Sequence, residues 1–265
     1  MTYMLAAVFI VLNLVAPTPQ REVPKEIRAK LFKQVVADYS DVRECIEHEK
    51  NAEENMTVEA VDLNHDGVSE YRVELSGSCL CGSVNCAIYF YRQTATGGYE
   101  SILEDASGFG LDVLKTSTNG YADLRVDGRY NRSSLSTTIY KFDGKQYREA
   151  RSTLFRQDTG ETKPASRRIQ FPRGASSTTI RSKVSLALPD TFIVGARAGQ
   201  VMSVRITAPR KSARFAIMTA KTTKSLTDTY NTNWTGTLPE TGDYIIYVEG
   251  DNERGSTYSI TVTIK

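Results

Sequence analysis

From Gly199 to Lys265 apolar residues recur at every second position. The pieces are GQVMSVRI, ARFAIMT, NWTGTLPETGDYIIYVEG and STYSITVTIK. In the last of them Tyr258, Ile260, Val262 and Ile264 fall on one face, and Ser259, Thr261 and Thr263 on the other. Side chains of an extended strand alternate between two faces, so this period belongs to half-buried antiparallel strands and not to helices. Pro239, Gly242, Gly250 and Gly255 interrupt the runs where turns are needed. The pattern predicts an antiparallel β-sandwich, and it fixes no chemistry.

The earlier part of the chain mixes one helix with hairpins. Pro24 suits the first turn of a helix. Ile27, Leu31 and Val35, with Phe32, Val36 and Tyr39, then lie three to five apart, giving an amphipathic helix that ends near Asp38. From Thr57 the period turns to two. TVEAVDL and YRVEL flank NHDG. CAIYFYR and YESIL flank TATGG, and LDVLKTS and YADLRV flank Thr118-Asn119-Gly120. STTIYKF and KQYREA flank Asp143-Gly144, which predicts a type I′ turn. Two of these hairpins look alike, a blade-like repeat in too few copies to close a propeller. Residues 151–168, RSTLFRQDTGETKPASRR, are polar and without period, and are expected to be a linker.

The fold class predicted is therefore mainly β in two domains. An α+β domain spans 21–150, and a jelly-roll or Greek-key sandwich spans 169–265. Of 265 residues 40% are hydrophobic and 24% charged, enough for sizeable cores. Net charge is +2 but uneven. From Ser166 to Lys265 there are 14 Lys and Arg against 7 Asp and Glu, a net of +7. The remainder holds 19 against 24, a net of −5. The basic half fits contact with anionic envelope polymers, or simply a solvated surface. Its cations are spread over strands and turns, and export makes nucleic acid an unfavoured partner.

Residues 1–20 begin with an apolar run from Met4 to Ala16, too short to span a bilayer. A signal peptide cut near Ala16 is expected, with a retained anchor as the alternative. The destination is periplasmic or secreted. In an exported chain four cysteines read as disulfides. Cys79 and Cys81 share one strand face with one residue between them. Cys81–Cys86 closes a short loop, which leaves Cys45 with Cys79. The rival, a four-thiolate metal site, needs a spacing that C-x-C-x4-C does not match.

The densest local motif is DLNHDGVSEY. Asp62, Asn64 and Asp66 occupy alternate positions, Gly67 permits a sharp turn, and Glu70 follows at the ninth. A hard cation such as Ca²⁺ takes several oxygen ligands, and alternate acidic side chains in a tight loop supply them. The twelfth position is Val73, so this is not an EF-hand. The ten residues resemble the Ca²⁺ loop D-x-[DN]-x-D-G-x-x-[DE] of FG-GAP repeats. That resemblance implies Ca²⁺ bound by Asp62, Asn64, Asp66 and Glu70. A plain turn with side chains bonded to backbone amides uses the same residues without a metal.

Signs of catalysis are few. The two histidines, His48 and His65, sit in charged runs, no nucleophile elbow, HExxH, P-loop or dinucleotide fingerprint occurs, and Gly108-Phe109-Gly110 is expected to be a loop. The chain is expected not to be an enzyme.

Residues FPRGASSTTIRSKV, AGQVMSVRI, ARFAIMT, LPETGDYIIYVEG and TYSITVTIK resemble bacterial pre-peptidase C-terminal domains. The opening FPRGASS and the AGQ turn are similar to periplasmic lysozyme inhibitors built on the same sandwich. In that family a Ser-Gly-x-x-Tyr loop enters the lysozyme cleft. The matching stretch here is Arg254-Gly255-Ser256-Thr257-Tyr258, with Arg254 in place of the leading Ser. The resemblance implies that Arg254, Gly255, Ser256 and Tyr258 form a binding site for lysozyme. The other readings are a Ca²⁺-stabilised envelope accessory or adhesion protein, and a secreted hydrolase with a sandwich appendage.

Overall fold

A computed structural model describes residues 22–47, 53–77, 80–81 and 84–265. The expected leader, His48 and Cys79 lie outside the described residues. The chain is mainly β, with helices α1 (Lys25–Asp38) and α2 (Ser40–Ile46) at its start. The second helix was not foreseen, because Tyr39 sits between the two with extended backbone and seven residues carry too little periodicity to read.

Two antiparallel meanders follow. The first orders β1 (Met56–Val61), β2 (Glu70–Leu75), β3 (Cys86–Gln93) and β4 (Tyr99–Gly108). The second orders β5 (Gly110–Thr118), β6 (Tyr121–Arg129), β7 (Ser134–Phe142), β8 (Tyr147–Arg156) and β9 (Thr162–Pro164). The look-alike hairpins β3–β4 and β7–β8 thus belong to two sheets stacked face to face. Strand β3 is buried on both sides. Its Ile88 and Phe90 join Leu124, Val126 and Phe142 between the sheets. Its Tyr89 and Tyr91 join Leu31 and Val35 under the helices. The result is three layers, helices on sheet on sheet.

Gly108-Phe109-Gly110 is not a free loop. It is the crossover from one sheet to the other, and Phe109 N donates to Asp127 O at 2.9 Å. A Cβ on Gly108 would lie 2.5 Å from that same oxygen, so the close approach of the sheets requires glycine here. The type I′ turn sits at Asn119-Gly120, where φ is +50° and +84°, between the paired residues Thr118 and Tyr121. Asp143-Gly144 is different: Phe142 pairs with Tyr147 across a four-residue loop. The Asp143 carboxylate accepts from Lys145 N at 2.8 Å and Gln146 N at 2.9 Å. A side chain that bonds the amides ahead of it holds an Asx turn.

Residues 151–168 form no irregular linker. Strand β8 runs on to Arg156, turns, and returns as β9. Only Ala165 and Ser166 separate β9 from β10 (Arg167–Arg168), the first strand of the sandwich.

One sandwich sheet orders β10, β12 (Asp190–Ala196), β16 (Gly242–Gly250) and β14 (Ala213–Thr219). The other orders β11 (Ser177–Val184), β17 (Ser256–Ile264), β13 (Val201–Thr207) and β15 (Asn233–Thr237). All pairs are antiparallel except β10 with β12. Between the sheets lie Phe192, Met202, Phe215, Ile246, Ile260 and Val262, with Trp234 packed at the margin. Tyr244 is fully buried, and its hydroxyl donates to Glu240 O at 2.6 Å.

Candidate binding surfaces

The residues from Asp251 to Gly255 join β16 to β17, which lie in opposite sheets. The connection therefore arches across the end of the sandwich and is not a hairpin. It is held at several points. Asp251 N donates to Ser212 O at 3.2 Å, and Leu186 N donates to Asn252 O at 3.0 Å. Gly255 N donates to Asn252 Oδ1 at 3.0 Å. Gly255 has φ of +79°, and a Cβ there would meet Val184 O at 3.0 Å, so this corner favours glycine. Ser212 Oγ donates to Ser256 Oγ at 2.6 Å.

The first domain supplies a further clamp. Arg156, at the end of β8, donates Nη1 to Glu253 O. The same guanidinium forks onto Asp158 at 2.6 and 2.8 Å, which holds the Asp158 carboxyl below the usual carboxylate range. Next to it, Asn131 Nδ2 and Ser134 Oγ donate to Ala187 O at 3.0 and 2.6 Å. The arch is thus pinned between two domains. Arg254 stands exposed at its tip and forms no ion pair with any described residue.

The four residues carried from the resemblance do not form one exposed set. Arg254 is exposed, and Gly255 and Ser256 are half-buried. Tyr258 is 3% exposed and belongs to the core. Its hydroxyl donates to Asp190 Oδ2 at 2.6 Å. Asp190 is 2% exposed, and its other oxygen accepts from Lys163 Nζ and Arg167 Nη2, both at 2.9 Å. Burial with the Asp190 charge beside it raises the Tyr258 pKa, so the phenol stays protonated and donating. Burial likewise lowers the Lys163 ammonium, with Asp190 opposing. Sequence reasoning found neither Asp190 nor Arg156. The alternation of β17 had already put Tyr258 on the inward face, and this was the signal against a binding role.

The acidic loop lies between β1 and β2. Leu63 is fully buried between the two meanders, and its carbonyl accepts from Ala122 N at 2.7 Å. Four of the loop's side-chain oxygens cap its own amides. Glu70 Oε2 accepts from Leu63 N at 2.8 Å, Asp62 Oδ2 from Gly67 N at 3.1 Å, and Asp66 Oδ1 from Val68 N at 2.7 Å. Asn64 Oδ1 accepts from Asp66 N at 3.0 Å. Asp62 Oδ1 is buried without any partner, an orphan oxygen of the kind that a cation would satisfy. Glu70 is 3% exposed. Burial raises its carboxyl pKa, with Asp66 and Asp62 adding and the Leu63 amide opposing. Among the described residues no group of three or more His, Cys, Asp or Glu is placed so that it could hold a metal ion.

Cys81 is bonded to Cys86. Cys45 is also disulfide-bonded, and its expected partner Cys79 lies outside the described residues. Among the described residues no helix is long and apolar enough to cross a membrane.

No protein-family model and no curated protein matches the chain. Among solved structures it is similar to the Aeromonas hydrophila PliG, a periplasmic inhibitor of g-type lysozyme. The identity is 24% over 38% of this chain and 96% of that one, with a TM-score of 0.35. The Salmonella Typhimurium PliG is 21% identical over 38% of this chain and 97% of that one, with a TM-score of 0.30. The pre-peptidase C-terminal domain of the Bacillus anthracis collagenase is 12% identical over 37% and 94%, also with a TM-score of 0.30.

Proposed function

We propose that this chain is an exported, non-enzymatic binding protein of the cell envelope, periplasmic or secreted. The arch of residues 251–255 presents Arg254 to a protein partner, with lysozyme the named candidate. The observation that carries this reading is the state of that arch. Backbone bonds to Ser212 and Leu186 and the Arg156 guanidinium fix it, while the Arg254 side chain is left exposed and unpaired among the described residues. A rigid exposed loop loses little conformational entropy on binding, and an arginine on it is a common anchor for a partner carboxylate. The decisive experiment is inhibition of c-, g- and i-type lysozymes by the whole chain and by Arg254→Ala.

A second reading has its own observation. The partnerless Asp62 Oδ1 supports an accessory or adhesion role in which Ca²⁺ stiffens the first domain through Asp62, Asn64, Asp66 and Glu70. Melting in Ca²⁺ against EDTA tests it.

A further inference from the structure

The outward face of the sheet β11-β17-β13-β15 carries a regular array of hydroxyls. Register places Ser177 opposite Thr263, Thr263 opposite Ser203, and Ser203 opposite Thr235. One step along, Thr179 lies opposite Thr261. Neighbouring hydroxyls bond across strands: Ser177 to Thr263 and Thr179 to Thr261 at 2.8 Å, Ser203 to Thr235 at 2.9 Å. Each hydroxyl has one donor and two acceptor sites, so every pair keeps capacity for an outside ligand.

The array ends in cations. Arg181 and Arg205 are exposed on the same face, in register with Ser259 and Thr261. Beyond the end of β13, Arg210 and Lys211 both have left-handed backbone, φ +52° and +57°. Two adjacent non-glycine residues in that conformation mark a strained turn. Two clefts flank this turn. One of about 410 Å³ is lined by Arg205, Lys211 and Asn233. The other, of about 670 Å³, is lined by Arg181, Pro209 and Ser259. Thr207 and Ala208 border both, and no carboxylate lines either.

The charge imbalance extends along the chain. Between Ser177 and Leu226 there are nine Lys and Arg and a single acid, Asp190, which is buried. Arg214 is neutralised by Glu249 at 2.7 Å, and Lys183 has Glu161 at 3.9 Å. Arg181, Arg205, Arg210 and Lys211 pair with no described carboxylate.

We infer that this face binds an anionic polysaccharide, with the sugar hydroxyls on the Ser/Thr array and the acid groups at Arg181, Arg205 and Lys211. This goes beyond the lysozyme reading and does not rest on it. Four features select the ligand. The cations call for a polyanion, and guanidinium forks suit carboxylate or sulfate. The hydroxyls call for a ligand rich in both donors and acceptors. The hydroxyl rows hold no aromatic ring, and Tyr258, which borders the second cleft, is buried; this disfavours single-stranded nucleic acid, where bases stack on exposed rings. The one large apolar side chain exposed on the face is Val201, too little for the apolar core of a protein interface.

The test is calorimetric titration of the whole chain with alginate, dextran sulfate and uncharged dextran. Binding to one or both anionic polymers and not to dextran is expected, weakening as salt rises. The triple variant Arg181→Gln/Arg205→Gln/Lys211→Gln should lose at least about tenfold in affinity. The control Arg173→Gln/Lys221→Gln/Lys224→Gln removes the same charge elsewhere and should stay near wild type. Thr179→Val/Thr261→Val, at unchanged charge, should weaken binding several-fold while leaving the melting temperature in place. Equal losses in both triple variants, no binding to either anionic polymer, or tighter binding to duplex DNA than to alginate would overturn the inference. Preference between alginate and dextran sulfate assigns the acid group.

Discussion

Tyr258 and Asp190 meet at 2.6 Å, phenol to carboxylate, inside the sandwich. The bond ties β17 of one sheet to the start of β12 in the other, and Asp190 also accepts from Lys163 of β9. One carboxylate thus gathers the two sheets and the last strand of the first domain. Tyr258→Phe leaves Asp190 Oδ2 buried and unbonded, and should destabilise by about 1–3 kcal/mol. Asp190→Ala should cost more, about 3–5 kcal/mol, because Lys163 and Arg167 lose their shared partner. Urea denaturation measures both. Equal stability of Tyr258→Phe and wild type would show that the bond is not formed in solution.

Much of this was legible. The sandwich core, the helix from Lys25 to Asp38 and the hairpins are local patterns, visible as periods and turn residues. Long-range polar contacts leave no local trace. Arg156 reaches Glu253, 97 residues away, and sits in a strand with little alternation, so its surroundings looked like a linker. Asp190 is a lone acid after Leu188-Pro189, with nothing nearby to mark it. The acidic loop was legible in composition, but whether its oxygens serve a cation or its own amides depends on backbone geometry.

Glu70 predicts a pH dependence. Its folded pKa is raised above the ordinary 4.5, first by burial. The folded chain then holds its proton more tightly than the unfolded chain does. As pH rises from 4.5 through the raised value, the unfolded state releases this proton first, and stability falls. Glu70→Gln keeps an acceptor for Leu63 N and removes the titration. Without Ca²⁺, the variant should match wild type below pH 4.5 and become the more stable of the two as pH rises. Melting curves of both across pH read the difference, in which other carboxylates cancel. A gap that does not change with pH would contradict the assignment.

The same loop predicts a response to Ca²⁺. If Asp62, Asn64, Asp66 and Glu70 hold the ion, Ca²⁺ at a hundredfold over Kd should stabilise by about 2.7 kcal/mol. Asp62→Asn should abolish that gain while changing little in EDTA, since Asp62 Oδ1 has no partner to lose. Identical melting in EDTA and Ca²⁺ would leave the loop as a self-capped turn.

Arg156 is expected to set the mobility of the arch. Arg156→Ala removes the donor to Glu253 O and frees Asp158. Amide exchange at Asp251, Leu186 and Gly255 should speed up, while exchange in the β12 and β16 core stays as it was. Trypsin should also cut faster at Arg167 and Arg168 in the variant, releasing a sandwich fragment if the two halves fold independently. Unchanged exchange would mean that the sandwich alone holds the arch.

The lysozyme reading separates Arg254 from Tyr258 more sharply than the sequence did. Had both residues faced a partner, both substitutions would weaken inhibition directly. Arg254 is exposed, and its removal disturbs no described contact. Tyr258 is in the core, and its removal disturbs the fold. Arg254→Ala should therefore weaken inhibition by more than about tenfold, since a charge-assisted contact in a desolvated cleft is worth roughly 2–5 kcal/mol, and should leave the melting temperature unchanged. Tyr258→Phe should lower the melting temperature and, at temperatures where it remains folded, inhibit as wild type does. The +7 charge of the second half opposes approach to a cationic lysozyme, so inhibition should strengthen as salt screens that repulsion. The lysozyme reading is falsified if the whole chain slows none of the c-, g- and i-type enzymes at micromolar concentration. Loss of inhibition in Tyr258→Phe without loss of stability would return the tyrosine to the binding surface.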